Sequence, residues 1–259
     1  MAEQYATDFT LQELMLVELA REVKNGDIVI IGTGLPLLGV FLAQLTHAPD
    51  VIAVTEAGPV GLNPRRLPFS VADPCLTPGS FMVGGLMEGL GLVHSGMVDL
   101  GFLGGAQIDK YGNLNTTCIG DYRNPRTRLP GSGGGNDIAS CCKRTVITMV
   151  HKKERFVERV DYITSPGYLG GGDERERLGF VGGGPVKVVS TLGVFRFHPE
   201  TKEMYLASCH PGVTVDQVRD NTGWDLKVAP DVGETELPTV EQVKLLRELD
   251  PRGVFLKKG

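Results

Sequence analysis

The chain has 259 residues, 41% of them hydrophobic and 22% charged, which is the composition of a globular protein and the length of one large domain or two small ones. Lys and Arg number 26 against 31 Asp and Glu, a net charge of −5 that disfavours nonspecific binding to nucleic acid or an anionic membrane. No apolar run approaches the roughly 20 residues of a transmembrane helix, and the polar stretch from Met1 to Thr10 lacks a signal-peptide pattern, so a cytoplasmic protein is expected.

The first helix is signalled by Thr10 and Glu13, a capping box, and by Met15, Leu16, Leu19, Ala20 and Val23 at helical spacing. Asn25-Gly26 supplies a left-handed stop. Ile28-Val29-Ile30-Ile31 is an apolar β-branched run, the mark of a strand buried on both faces, and it ends in Gly32-Thr33-Gly34. A helix carrying Leu38, Phe41, Leu42 and Leu45 follows. Val51 to Thr55 is a second buried strand, ending at Glu56-Ala57-Gly58.

The spacing predicts a helix from Ser80 to Met97 and a strand at Leu100-Gly101-Phe102-Leu103, which stops at Gly104-Gly105. A long polar segment, Asp109 to Gly135, comes next. Strands are expected at Thr145 to Val150, Arg159 to Thr164 and Val186 to Ser190. Gly193 to His198 and Met204 to Ser208 flank Pro199-Glu200-Thr201-Lys202, an antiparallel hairpin signal. Capping boxes at Thr214/Gln217 and Thr239/Gln242 open two short closing helices. No repeat or linker interrupts residues 1–259, which read as a single domain of the α/β class: a largely parallel open sheet flanked by helices, with a small antiparallel hairpin.

In such folds ligands sit beyond the C-terminal ends of the strands, which gives the glycines a role. The chain has 35, against an average share of about 7%. Glu56 ends an apolar strand and precedes a turn, so its carboxylate is expected to be partly desolvated and reactive; a helix cap or surface ion pair is the plainer alternative. In Gly104-Gly105-Ala106-Gln107-Ile108-Asp109 the adjacent amides of Gly104 and Gly105 suit an oxyanion hole, with Gln107 as a further donor; the alternative is a tight turn with Gln107 satisfying nearby backbone. Gly131-Ser132-Gly133-Gly134 precedes a helical stretch and suits an anion such as a carboxylate or phosphate, or is simply a flexible loop. Arg123, Arg126 and Arg128 suit acid groups or a solvated edge.

Several other sites are excluded. Gly32-Thr33-Gly34 lacks the third glycine of a dinucleotide fingerprint, the loop at Gly131 lacks the Lys-Ser/Thr of a P-loop, and no nucleophile-elbow motif is present. Cys75, Cys118, Cys141, Cys142 and Cys209 are odd in number and without CxxC spacing, so neither a disulfide framework nor a zinc site is expected. Trp224 reads as packing.

Together these segments resemble the B subunits of glutaconate CoA-transferases, within the class I CoA-transferase family. The resemblance runs through Lys24-Asn25-Gly26, Gly32 to Leu37, Ala48-Pro49-Asp50, Gly104 to Asp109, Tyr111-Gly112-Asn113 and Ile119 to Tyr122. It continues through Gly131-Ser132-Gly133-Gly134, Asp161 to Gly167, Arg175 to Gly179 and Asn221-Thr222-Gly223. Family members use a strand-end glutamate, six residues after the Ala-Pro-Asp aspartate and in a Glu-Ser-Gly context, as nucleophile. The same offset from Asp50 reaches Glu56, here in the context Glu56-Ala57-Gly58. The Ser-to-Ala change and the poorly matching Pro59 to Pro68 are departures.

The resemblance implies ping-pong exchange of coenzyme A between an acyl-CoA and a free carboxylic acid through a glutamyl-CoA thioester at Glu56. It implies coenzyme A as a substrate with no permanently bound cofactor or metal. It also implies a homologous A subunit as partner, with no nucleic acid or membrane. Two other readings share the scaffold: an acyl-CoA decarboxylase or ring-opening hydrolase, and a non-catalytic ligand-binding or assembly module.

Overall fold

The computed structural model describes residues 4–32, 34–64 and 66–256, so Thr33 of the expected Gly32-Thr33-Gly34 turn lies outside the described residues. The chain divides into two compact units, residues 1–100 with 236–259, and residues 101–235. In chain order the first unit contributes α1 (Leu11–Ala20), β1 (Ile28–Ile30), α2 (Leu35–Leu45), β2 (Ile52–Val54), β3 (Pro59–Val60), β4 (Met82–Val83) and α3 (Leu86–His94). The boundary falls within β5 (Leu100–Leu103). The second unit then holds β6 (Gln107–Ile108), β7 (Leu114–Asn115), β8 (Cys118–Ile119), β9 (Thr127–Arg128), α4 (Gly135–Cys141), β10 (Arg144–Met149) and α5 (Glu174–Arg177). It continues with β11 (Pro185–Ser190), β12 (Gly193–Phe197), β13 (Met204–Cys209), α6 (Val215–Asp220) and β14 (Lys227–Glu234), before α7 (Val240–Leu249) returns to the first unit.

The first unit is built on β1 and β2, paired in parallel with Ile28 opposite Ile52 and Ile30 opposite Val54. Val29, Ile30, Ala53 and Val54 are buried, as a strand covered on both faces requires. The α1 capping box forms as expected, with Glu13 N donating to Thr10 Oγ1 (3.2 Å) and Thr10 N to Glu13 Oε2 (2.7 Å). Residues Glu13 to Ala20 are all buried, so α1 is covered on every side. On α2, Gly39 makes that covering possible: a Cβ there would lie 3.3 Å from Leu19 Cβ. Arg247 of α7 donates from Nε to Glu13 Oε1 at 2.8 Å and closes the cluster.

After β2 the chain reverses. Strand β3 pairs antiparallel with β2, and β4 antiparallel with β3 (Pro59 opposite Val83, Val60 opposite Met82). The helix expected from Ser80 is therefore shorter. Phe81 N donates to Val60 O (2.8 Å) and Gly84 N to Gly58 O (3.3 Å), so residues 81–84 spend their backbone groups on pairing and α3 begins only at Leu86.

In the second unit β10 and β11 are parallel, β11–β12 and β12–β13 antiparallel, and β13–β14 parallel. The expected α/β fold with parallel core strands is present, and the hairpin around Pro199–Lys202 forms as expected, with Phe197 opposite Met204. Ile147, Val188, Phe195 and Leu206 fill the core. Trp224 stacks on Phe156 at 6.2 Å, a packing role. Both later capping boxes form.

Three further points separate the structure from the sequence reading. The polar segment from Asp109 contains two small hairpins, β6–β7 and β8–β9. Arg159–Thr164 is not a strand. Its backbone groups are taken elsewhere: Asp161 N donates to Gln107 Oε1 (3.1 Å), Thr164 N to Leu114 O (2.8 Å), and Thr164 O accepts from Asn136 Nδ2 (2.7 Å). Strand β14 was not anticipated, because Pro230, Gly233 and mostly exposed positions give it no apolar pattern.

Candidate active-site residues

Glu56 follows β2 directly, at the C-terminal end of a parallel strand, where α/β folds place ligands. It is half-buried. The turn that holds it is closed by Gly58 N donating to Thr55 O (3.0 Å) and Thr55 N to Pro59 O (3.2 Å). Gly58 has φ +112°, and a Cβ there would stand 2.4 Å from Gly84 O, so only glycine fits. From the other side α3 presses its backbone onto the turn: a Cβ on Gly89 would lie 2.8 Å from the carbonyl oxygens of both Thr55 and Glu56. Thr55 is fully buried, and its Oγ1 has no hydrogen-bond partner among the described residues. The nucleophile candidate thus sits on a backbone clamped by three glycines.

The other candidates lie in the second unit. Gly104 is exposed and Gly105 half-buried, and a Cβ on Gly105 would meet Gln107 O and Leu114 Cδ2 at 3.2 Å. Gln107 is 5% exposed and engaged at both ends. Its Nε2 donates to Asp161 Oδ2 (3.1 Å), and its Oε1 accepts from Asn115 Nδ2 (2.7 Å) and Asp161 N. Asp161 Oδ2 also accepts from Gly120 N at 2.8 Å. Gln107 therefore locks the loops around this turn together.

The Gly131–Gly134 loop leads into α4. Gly131 (φ +98°) and Gly133 (φ +49°) take the left-handed region, and Gly131 N donates to Thr116 O at 2.8 Å. Gly135 at the start of α4 lies against Leu103, 3.7 Å from its Cβ position, so this loop and the Gly104 turn are neighbours within the unit. Arg123, Arg126 and Arg128 are exposed, and Arg128 stacks on Tyr122 at 5.0 Å, which itself stacks on Tyr162.

Two positions escaped the sequence reading. Gly89 signalled itself only as a glycine inside a helix, the pattern of a close backbone approach. Arg175 gave no signal beyond its place in a matching segment. It is 3% exposed, and its guanidinium donates to five carbonyls: Gly182, Pro166, Gly167, Ala139 and Ser140. It ties the end of α4 to two loops, and burial lowers its affinity for its proton.

A sequence profile of the coenzyme A transferase family matches residues 13–221, and the chain belongs to that family. Within it the similarity is to B subunits. The chain is 42% identical to the B subunit of the glutaconate CoA-transferase of Acidaminococcus fermentans, across 97% of this chain and 96% of that one. It is 41% identical to the B subunit of the 3-oxoadipate CoA-transferase of Pseudomonas knackmussii, across 94% of each. The crystal structure of the Acidaminococcus fermentans glutaconate coenzyme A-transferase superposes with a TM-score of 0.91 at 40% identity, covering 99% of this chain and 100% of that one. Relatives with other chemistry also match. The decarboxylase AibA/AibB gives a TM-score of 0.82 at 26% identity, covering 95% and 97% of the two chains. The IpdB chain of a cholesterol ring-cleaving hydrolase of Mycobacterium bovis is 32% identical across 95% and 96%.

Proposed function

We propose that this chain is the B subunit of a heteromeric CoA-transferase, completed by a homologous A subunit, and that it moves coenzyme A between an acyl-CoA and a free carboxylic acid. A short dicarboxylic acid of the glutaconate type is the proposed substrate class. The observation that carries the reading is the placement of Glu56: a half-buried carboxylate at the C-terminal end of β2, on a backbone fixed by Gly58, Gly84 and Gly89.

The chemistry needs a carboxylate and no proton. A Glu56 oxygen attacks the thioester carbonyl of the donor, the C–S bond breaks, and coenzyme A leaves as thiolate from a mixed anhydride. The thiolate attacks the glutamyl carbonyl, the anhydride C–O bond breaks, and the donor acid departs, leaving a glutamyl-CoA thioester. An acceptor carboxylate then reverses the two steps and restores Glu56. To the amides of Gly104 and Gly105 we assign the developing oxyanion, and to the Gly131–Gly134 loop an anionic group of coenzyme A. Gln107 acts in this reading by holding the Gly104 turn in place.

The test uses the chain co-purified with its A-type partner, incubated with glutaconyl-CoA and no acceptor. Peptide mass spectrometry after hydroxylamine trapping is expected to find the adduct at Glu56, absent from Glu56→Gln, whose transfer rate falls at least about 1,000-fold. Consumption of the thioester with carbon dioxide release and no adduct would instead assign a decarboxylase of the AibA/AibB kind.

A further inference from the structure

Within the first unit, the loop that follows β3 and the turn that follows α7 enclose a hollow of about 380 Å³, inside the roughly 300–1,000 Å³ range of small-molecule sites. Leu67, Phe69, Leu249, Pro251 and Val254 give it apolar walls, and Arg252 lines it as well. A smaller hollow of about 140 Å³ shares Arg66, Leu67 and Leu249 with it and carries the apolar lining on to Phe41, Leu45 and Pro64. The two adjoin as one groove, and Arg252 belongs only to the larger part.

The charges around this groove are paired, apart from one. Arg66 donates from both terminal nitrogens to Asp73, at 3.0 and 2.8 Å, and Asp73 also accepts from Phe69 N (3.1 Å) and Cys75 N (3.0 Å). That network shapes the loop and sets Phe69 in the wall, its ring 5.8 Å from the Arg66 guanidinium. Asp250 is 4% exposed and accepts from the backbone amides of Val254, Phe255 and Leu256, each at 2.8 Å, so its carboxylate is taken up in closing the turn after α7. Arg252 is exposed and has no hydrogen-bond or ion-pair partner among the described residues. Apolar walls thus meet one unneutralised cation.

We propose that this groove binds a small carboxylic acid with an apolar body, its carboxylate on Arg252 and its chain along Leu67 and Leu249 towards Phe41 and Leu45. The lining selects that class. A guanidinium presents parallel N–H donors that match the two oxygens of a carboxylate. Neither Asp73 nor Asp250 sets an unpaired negative charge against an incoming anion. The apolar walls gain by taking a hydrocarbon chain out of water, whereas a second anionic group would be stripped of water against Leu249 and Phe41 with nothing to pair it. None of the lining residues is a candidate active-site residue, so the inference stands apart from the role given to Glu56.

Isothermal titration calorimetry of the full chain with octanoate tests the assignment, with butanoate, octanol and octylammonium as comparisons. Octanoate is expected to bind at least about 10-fold more tightly than butanoate, which lacks the chain, and than octanol, which lacks the charge. Octylammonium is expected not to bind. Arg252→Gln and, independently, Phe69→Glu are expected to weaken octanoate at least about 10-fold. Both positions are exposed, so the variants are expected to keep the native circular dichroism and melting temperature. Glu56→Gln is expected to bind octanoate as the native chain does. No measurable binding of octanoate overturns the proposal, as does binding that both groove variants leave unchanged. Octanol binding as tightly as octanoate, or octylammonium more tightly, would make the groove a merely apolar or a cation-binding one and equally overturn it.

Discussion

Glu56 owes its setting to the backbone of its turn. Three glycines admit the turn, and none touches it with a side chain. Adding one methyl group tests this. In Gly89→Ala the new Cβ would begin 2.8 Å from two carbonyl oxygens, inside any real contact distance, so the turn must move. We expect kcat to fall at least about 10-fold with assembly retained, since positioning errors of about 1 Å cost about 100-fold; single-turnover adduct formation at Glu56 is the measurement. The strand-end position of Glu56 was legible, because an apolar β-branched run that stops before a turn is a local signal. The Gly89 contact was not, because its partner lies 33 positions earlier and only the fold brings them together.

Elements show the same division. The three capping boxes at Thr10, Thr214 and Thr239 are decided within four residues, and each was readable in advance. Arg159–Thr164 had strand-like residues but lost its backbone groups to Gln107, Leu114 and Asn136 from distant segments. The start of α3 was hidden for a similar reason: Phe81 to Gly84 pair with β3 and the turn before it. Arg175 is the clearest case of an organising contact without a sequence pattern. Arg175→Lys keeps a charge but cannot span five carbonyls, so several buried acceptors lose their donors. Charged hydrogen bonds contribute about 1.5–3 kcal/mol each, so a loss of about 3 kcal/mol or more is expected in urea denaturation.

At the scale of the whole molecule, acid stability carries a specific signature. His151 is 4% exposed, stacked on Phe156 at 3.7 Å, with its ring nitrogens on Ser190 and Thr222 hydroxyls. Burial holds its pKa down to about 3, against an ordinary 6.5. Between those values the unfolded chain binds a proton that the folded chain refuses, so stability rises with pH and is lost on acidification below about 6.5. From about pH 7.5 to about pH 5 this one ring costs about 2 kcal/mol. His151→Gln is expected to flatten that part of the pH profile in denaturation at the two pH values, even though its stability at neutral pH falls. The α/β class was readable from apolar runs and glycine stops, whereas which strands pair was not, because pairing joins residues far apart in the chain.

The exposed row from Phe81 to Met87, along β4 and into α3, also bears on how the protein is made. The chain carries an open strand edge rich in Phe, Met, Val and Leu, the kind of segment that seeds intermolecular pairing. Its solubility then depends on that edge: the more chain is made, the more open edges meet, and a charge set there, as in Val83→Lys, is expected to raise the soluble fraction on overexpression.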